Sequence, residues 1–151
     1  MKIIKSIADV VILTPHPTLE RLFILEQDWE IRVVSSDEGT LHYKIQKGFT
    51  TDARSGGPLV DSIIPWTGNQ MEMWSWFVHD VNYYGFVSFS LANEILRQML
   101  LLAGMPSWKT FLVYHAVDLF GESSWTPLDV EPPEPEYKGN REKVTFTWEP
   151  K

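Results

Sequence analysis

The stretch "TLHYKIQ", residues 40–46, decides the fold class of the first third of the chain. Its apolar residues Leu41, Tyr43 and Ile45 alternate with polar residues, which is the two-residue period of a half-buried strand. Residues 1–50 share this character, so they predict a sheet that is built from several short strands.

Three further strands are predicted on the amino-terminal side of this stretch. The apolar run "ADVVIL" (residues 8–13) predicts one, and "RLFILEQDWEIRVV" (21–34) predicts two that are separated by a turn. The polar turn "SSDEG" (35–39) then leads into "TLHYKIQ". Near the other end of the chain, "KVTFTWE" (143–149) also alternates, and we expect it to return to the sheet or to pair with a neighbouring molecule.

The hydrophobic period changes to that of helices after residue 69. The first predicted helix covers residues 70–84, and two more follow it at 88–104 and 105–121 with short connections. Consecutive helices with short connections should pack as antiparallel neighbours. The predicted apolar face of the first helix consists of Trp74, Phe77, Val78, Val81 and Tyr84. The predicted caps are Ser88 or Ser90 and Gly104 for the second helix, and Ser107 and Gly121 for the third.

These elements predict an α+β fold. An antiparallel sheet, made of the strands in residues 1–50 and the strand at 143–149, is expected to pack against about three helices between residues 70 and 121. The carboxyl-terminal strand lies apart from the others in sequence, so the chain must return to the sheet after the helices.

The domain boundaries follow from composition. Residues 1–125 are predicted to form a single α+β domain, because the length fits one core. Residues 126–142 are rich in proline and acidic side chains and predict an arm without a core of its own. Residues 143–151 contain the carboxyl-terminal strand.

Charge and cysteine content exclude several function classes. The net charge is −7 and only 13 of the residues are Lys or Arg, which argues against nucleic acid and against an anionic membrane as partners. The chain has no cysteine, so disulfides, thiolate metal sites and a cysteine nucleophile are excluded. Asp9 interrupts the apolar amino terminus, and we therefore expect no signal peptide.

The segment "TDARSGGPLVDSIIPWTGN", residues 51–69, predicts a long irregular loop. Gly56, Gly57 and Pro58 cannot continue a helix or a central strand. Asp52 lies at its start, where a carboxylate and loop carbonyl groups could bind a divalent cation, or where the side chain could cap a turn.

Several motifs, in their order and spacing, resemble a phage and prophage family that is catalogued as domain of unknown function 1353. The motifs are "GFTTD" (48–52), "HDVNYY" (79–84), "LANEILRQML" (91–100) and "LFG" (119–121), and the resemblance covers about residues 20–121. It implies a phage or prophage origin and no established activity. Carried over by position, the matched residues are Asp52, Ser55, Pro65, His79, Asp80, Tyr83, Ala92 and Asn93. Two departures are "ARSGGP" in the loop and Asn93, which stands where the family has Asp.

The first helix carries the candidate catalytic residues His79, Asp80 and Tyr83. His79 and Tyr83 are four residues apart and share one helix face, where Asn93 of the next helix could join them. An imidazole with polar neighbours can act as a general base, and Asp80 with Asp52 could hold a metal ion.

A structural interpretation of the same residues competes with the catalytic one. A buried polar cluster around His79 could fix the shape of the irregular loop. In that case the residues with structural roles are Ser55, Gly56, Gly57, Pro58 and Asn93.

Two function classes remain open at this point. The first is a non-enzymatic protein of the virion or of infection that works by contact with a protein partner or by self-association. Seven tryptophans and the terminal strand favour it. The alternative is a small hydrolase that uses the His79 helix, with a divalent cation as the one cofactor that these residues could bind. In either case the expected location is the host cytoplasm during synthesis, and for the first class also the virion.

Overall fold

The computed structural model describes residues 1–15, 17, 22–51, 69–132 and 139–151. Residue contacts divide the chain into two compact units, of which the first comprises Met1–Ala53 with Pro132–Lys151 and the second Arg54–Glu131. The strands lie in the first unit and the α-helices in the second, which confirms the α+β class. The strands are β1 (Ile3–Ala8), β2 (Leu13–Pro15), β3 (Phe23–Leu25), β4 (Trp29–Ser35), β5 (Gly39–Ile45), β6 (Thr50–Thr51) and β7 (Val144–Glu149).

The main sheet of the first unit has four antiparallel strands in the order β1-β4-β5-β7. The predicted alternation in β5 is confirmed, since Leu41, Tyr43 and Ile45 are buried on one face of the sheet. The carboxyl-terminal strand β7 pairs with β5, and Phe146 lies opposite Tyr43 with the two ring centroids 5.0 Å apart. The prediction that this distant strand joins the amino-terminal sheet is therefore confirmed.

The turn between β4 and β5 requires glycine at position 39. Gly39 has a φ of +100°, a left-handed conformation that residues with a Cβ rarely adopt. A side chain there would also overlap the carbonyl oxygen of Glu149 in β7. Gly39 therefore lets the turn close and the terminal strand pass beside it.

The smaller sheet has the order β2-β3-β6. The strand predicted at "ADVVIL" (residues 8–13) is wrong in its position, because β1 ends at Ala8 and β2 begins only at Leu13. The carbonyl oxygen of Asp9 accepts a hydrogen bond from the Trp29 indole at 2.8 Å instead of extending the ladder. This side-chain contact satisfies the backbone where the strand was expected to continue.

A buried asparagine anchors the end of the small sheet. Asn140 Oδ1 accepts a hydrogen bond from the Thr50 amide at 2.9 Å, and its Nδ2 donates to the Thr50 carbonyl oxygen at 2.7 Å. The side chain thus binds both backbone groups of one residue in β6, as a neighbouring strand would.

Replacing Asn140 with alanine is expected to lower the free energy of unfolding by about 2 kcal/mol, because it leaves two buried backbone groups without their partner. Urea denaturation measures the effect. Asn69→Ala is the matched control, since Asn69 is an exposed helix N-cap whose loss should cost about 1 kcal/mol. Equal losses in the two variants would contradict an anchoring role for Asn140.

The helices of the second unit are α1 (Gln70–Asn82), α2 (Phe89–Leu102) and α3 (Ser107–Phe120). Ser88 caps α2 by accepting a hydrogen bond from the Leu91 amide at 3.2 Å, and Gly104 follows α2 with a φ of +96°, as predicted. Gly121 is the C-cap of α3, also as predicted. The prediction of Ser107 as N-cap is wrong, because α3 already includes Ser107 and its N-cap is Pro106. Proline at this position fixes φ at a value that leads into the helix.

The three helices share an apolar core. Its residues come from all three helices, and they are Trp76, Leu96, Leu100, Val113, Ala116 and Val117. The predicted apolar face of α1 is partly wrong, since Trp74 and Tyr84 remain half-exposed while Trp76 is fully buried. Within the described part of the chain, no helix combines the length and the apolar character that crossing a membrane requires.

Candidate functional site

One side chain of α1, that of its C-cap residue Tyr83 and one of α2 meet at a single buried oxygen atom, Asn93 Oδ1. Asn93 Oδ1 lies 2.9 Å from His79 Nε2 and 2.8 Å from the Tyr83 hydroxyl, which donates to it. The sequence prediction that Asn93 would join His79 and Tyr83 matches this geometry. We call these three residues the His79–Asn93–Tyr83 cluster.

Helix geometry explains why these residues meet. His79 and Tyr83 are one helical turn apart, and their ring centroids are 4.2 Å from each other. Asn93 lies one turn into α2, which packs against α1 within the same unit. All three side chains are buried, and His79 and Asn93 are 0% exposed.

The contacts define the tautomer of His79. Because the Asn93 oxygen is an acceptor, His79 Nε2 must carry the proton that it donates. Nδ1 of a neutral imidazole is then an acceptor. Among the residues that the structure describes, neither His79 Nδ1 nor Asn93 Nδ2 has a hydrogen-bond partner.

Burial controls the ionisation of the cluster. It lowers the pKa of His79 from its ordinary 6.5 to about 4, while the hydrogen bond with Asn93 acts in the opposite direction. Burial also raises the pKa of Tyr83 above its ordinary value, against the hydrogen bond to Asn93, and the nearby charge of Asp118 adds to the rise. At neutral pH the cluster therefore contains a neutral imidazole and a neutral phenol.

This arrangement favours positioning over proton transfer. A general base needs access to a substrate proton and a pKa near the working pH. His79 has a pKa of about 4 and is 0% exposed, and the group that orients it is an amide rather than a carboxylate. In the folded protein the cluster joins α1 to α2, because Asn93 Oδ1 of α2 accepts hydrogen bonds from His79 and Tyr83.

The two hydrogen bonds that define this cluster involve none of the remaining predicted site residues. Asp80 lies on α1 and is half-exposed. The predicted metal residue Asp52 and the predicted loop residues Ser55, Gly56, Gly57 and Pro58 lie outside the described residues, as does Pro65. Within the described ranges, no group of three or more His, Asp or Glu side chains is placed to hold a metal ion.

Gly121 also belongs to this site, although the sequence predicts it only as a helix cap. A methyl group on Gly121 would overlap the Tyr83 hydroxyl and the Val117 carbonyl oxygen. The φ of Gly121 is −86°, which any residue can adopt, so glycine is required for space rather than for conformation. The motif "LFG" predicts the end of the helix, and no local signal predicts that Tyr83 packs there.

Gly121→Ala is expected to lower the free energy of unfolding by about 2 kcal/mol, because the new methyl group must displace Tyr83 or the end of α3. The test is urea denaturation of a double-mutant cycle with Tyr83→Phe. Removing the hydroxyl relieves part of the overlap, so the alanine should cost less in the Tyr83→Phe background. Strict additivity of the two changes would contradict the proposed overlap.

The outer side of α3 carries a second feature of the helical unit. Trp108 is 62% exposed, Phe111 60%, Leu112 39% and Leu119 70%, and their spacing places them on one helix face. His115 lies on the same face and is exposed, so it is not a core histidine, and its ring centroid is 4.2 Å from that of Phe111. We call these five residues the α3 stripe.

Comparison with known proteins places the chain in a family. The family model described as "Protein of unknown function (DUF1353)" matches residues 25–117, which are more than half of the chain. No curated protein and no solved structure matches. The matched range includes the whole His79–Asn93–Tyr83 cluster and most of the α3 stripe, and it confirms the resemblance that the sequence motifs predict. The chain belongs to the DUF1353 family of proteins of unknown function.

Proposed function

We propose that this protein is a phage- or prophage-encoded interaction protein that acts, in the virion or during infection, by binding another protein chain through the α3 stripe. The observation that carries the proposal is the exposure of the stripe. Large apolar side chains that form a continuous exposed face mark protein-binding surfaces more often than isolated exposed residues do. Trp and Phe are also the side chains that most often supply binding energy at such surfaces.

The chemistry of the stripe supports a protein partner. Its members Trp108, Phe111 and Leu119 offer apolar contact area and no charge, which suits another apolar surface. The chain has a net charge of −7, which is unfavourable for binding phosphate groups. The phage context is what the resemblance of the sequence motifs to the family implies, and it is part of the proposal.

The hydrolase alternative has less support from the geometry. It requires His79 to exchange protons with a substrate, and the side chain is buried with a pKa of about 4. A panel of ester, phosphoester and peptide substrates tests it, with His79→Gln as the diagnostic variant. Turnover by the wild type that disappears in His79→Gln would favour the hydrolase and count against the interaction protein.

Purified particles of the source phage provide the test of the interaction function. Mass spectrometry should detect the chain in particles or bound to a particle protein in infected cells. Leu119→Glu places a charge in the stripe and should remove the chain from that complex. Leu128→Glu is the matched control, since Leu128 is exposed but lies outside α3.

Two outcomes would contradict the proposal. One is a wild-type chain that is found in neither particles nor complexes. The other is equal retention of the Leu119→Glu and Leu128→Glu variants, which would show that the complex does not depend on the α3 stripe.

A further inference from the structure

We propose that the α3 stripe binds a second copy of the same chain, with the two α3 helices packed antiparallel about a two-fold axis. This inference rests on the proposed function and names the partner of that surface. Four observations carry it: the size of the stripe, the symmetry of its spacing, its lack of charge and the core that supports it.

The size of the stripe matches what a small dimer interface needs. The exposed fractions of Trp108, Phe111, Leu112 and Leu119, with His115, correspond to an apolar surface on the order of 500 Å². Pairing two such surfaces removes on the order of 1,000 Å² from water, which is the lower bound for a specific protein interface. A single copy that left this surface exposed would carry one of the larger apolar patches expected on a monomer.

Four of the five stripe residues are spaced symmetrically along the helix. Its midpoint lies between Val113 and Tyr114, with Trp108 and Leu119 equally far from it on either side. An antiparallel pair about that point places Trp108 of each copy against Leu119 of the other. It likewise places each Leu112 against the partner's His115, while Phe111, whose mirror position is the core residue Ala116, lies beside the seam.

Charge placement is compatible with the same pairing. The only Lys, Arg, Asp or Glu residues of α3 are Lys109 and Asp118, and helix periodicity places both on the flanks of the stripe. No carboxylate or ammonium group would therefore be buried in the seam, where an unpaired charge is costly. A partner that is recognised by charge would find little to bind on this face.

The opposite face of α3 is buried in the apolar core of its own unit. Val113, Ala116 and Val117 are buried against residues of α1 and α2. A partner can therefore bind the stripe without rearrangement of the helical core. The interface is a rigid helix face, which lowers the entropy that association must overcome.

Sedimentation velocity of the full chain tests the self-association. Over roughly 1 to 100 µM, the wild type should pass from monomer to a dimer of about 35 kDa, twice the 17.5 kDa of the chain. Leu119→Glu should weaken the dimer at least tenfold, and Leu128→Glu should leave its dissociation constant within about twofold. Circular dichroism confirms that both variants are folded. A monomeric wild type throughout this range overturns the proposal.

Single-cysteine variants test the antiparallel arrangement, because the chain has no cysteine of its own. Oxidising a mixture of Trp108→Cys and Leu119→Cys should give a disulfide between the two different variants. Each variant alone should cross-link to itself poorly, since like positions lie at opposite ends of the antiparallel pair. Efficient cross-linking of each variant to itself would overturn the antiparallel pairing.

The two proposals fail in different ways. A chain that remains monomeric but enters particles through Leu119 overturns the self-pairing and retains the interaction function. A chain that dimerises through α3 but is absent from particles and infection complexes retains the self-pairing and overturns the proposed phage role.

Discussion

The substitution Asn93→Leu is expected to lower the free energy of unfolding by about 4 kcal/mol. Leucine has the same number and branching of side-chain heavy atoms as asparagine and is somewhat larger, so the cost does not come from a cavity. It comes from the loss of one acceptor that serves two buried donors, His79 Nε2 and the Tyr83 hydroxyl. Each buried donor that loses its partner costs about 1–3 kcal/mol. The shared acceptor therefore makes Asn93 more important for stability than either donor.

A double-mutant cycle separates this effect from a general loss of packing. Tyr83→Phe alone removes one donor and should cost about 1 kcal/mol, because Asn93 keeps its bond to His79. Combined with Asn93→Leu, Tyr83→Phe should be neutral or stabilising, since the orphaned hydroxyl is gone. Urea denaturation at pH 7 measures all three variants. A cost below about 1 kcal/mol for Asn93→Leu would show that the hydrogen bonds contribute little.

The sheet could be predicted from the sequence because its signals are local. The alternation in "TLHYKIQ" and "KVTFTWE" reflects burial of one face, and both segments are strands in one sheet. The exact position of β1 could not be predicted, because "ADVVIL" is apolar enough for a strand in isolation. The strand ends at Ala8, and the next carbonyl oxygen, that of Asp9, accepts a hydrogen bond from the distant indole of Trp29. Contacts between residues that are distant in sequence do not change the local pattern of apolar and polar residues.

The candidate site could be predicted in part for a similar reason. Helix periodicity places His79 and Tyr83 on one face, and the family motif adds Asn93. Three facts needed the fold: that one oxygen accepts from both side chains, that the imidazole is buried, and that Gly121 packs on the phenol. Each of these depends on how α2 and α3 lie against α1.

The asparagine itself explains how the cluster tolerates burial. A carboxylate at position 93 would bring a charge into a site where His79 and Asn93 are both 0% exposed. The amide oxygen accepts the same two hydrogen bonds without a charge. The amide at position 93 therefore keeps the buried cluster free of charge, which favours its stability.

The depressed pKa of His79 predicts a stability that declines in mild acid. The imidazole has a pKa of about 4 in the folded protein and 6.5 in the unfolded chain. Between these values the unfolded state binds more protons, so stability rises with pH and is lost as pH falls from 6.5 towards 4. The full difference corresponds to about 3 kcal/mol. Protonation of buried His79 should therefore dominate the first stage of acid unfolding.

Urea denaturation at several pH values across this window, for wild type and His79→Gln, measures the contribution. Glutamine retains an amide that can donate to Asn93 and does not titrate, so its stability should depend much less on pH above about 5. Carboxylates such as Glu94, whose pKa is lowered by the hydrogen bonds that it accepts from Arg97, act in both proteins and cancel in the comparison. Their contribution is lost at lower pH, below the ordinary carboxyl value of 4.5. Parallel pH profiles for the two proteins would mean that His79 titrates normally and that its burial does not control the acid sensitivity of the fold.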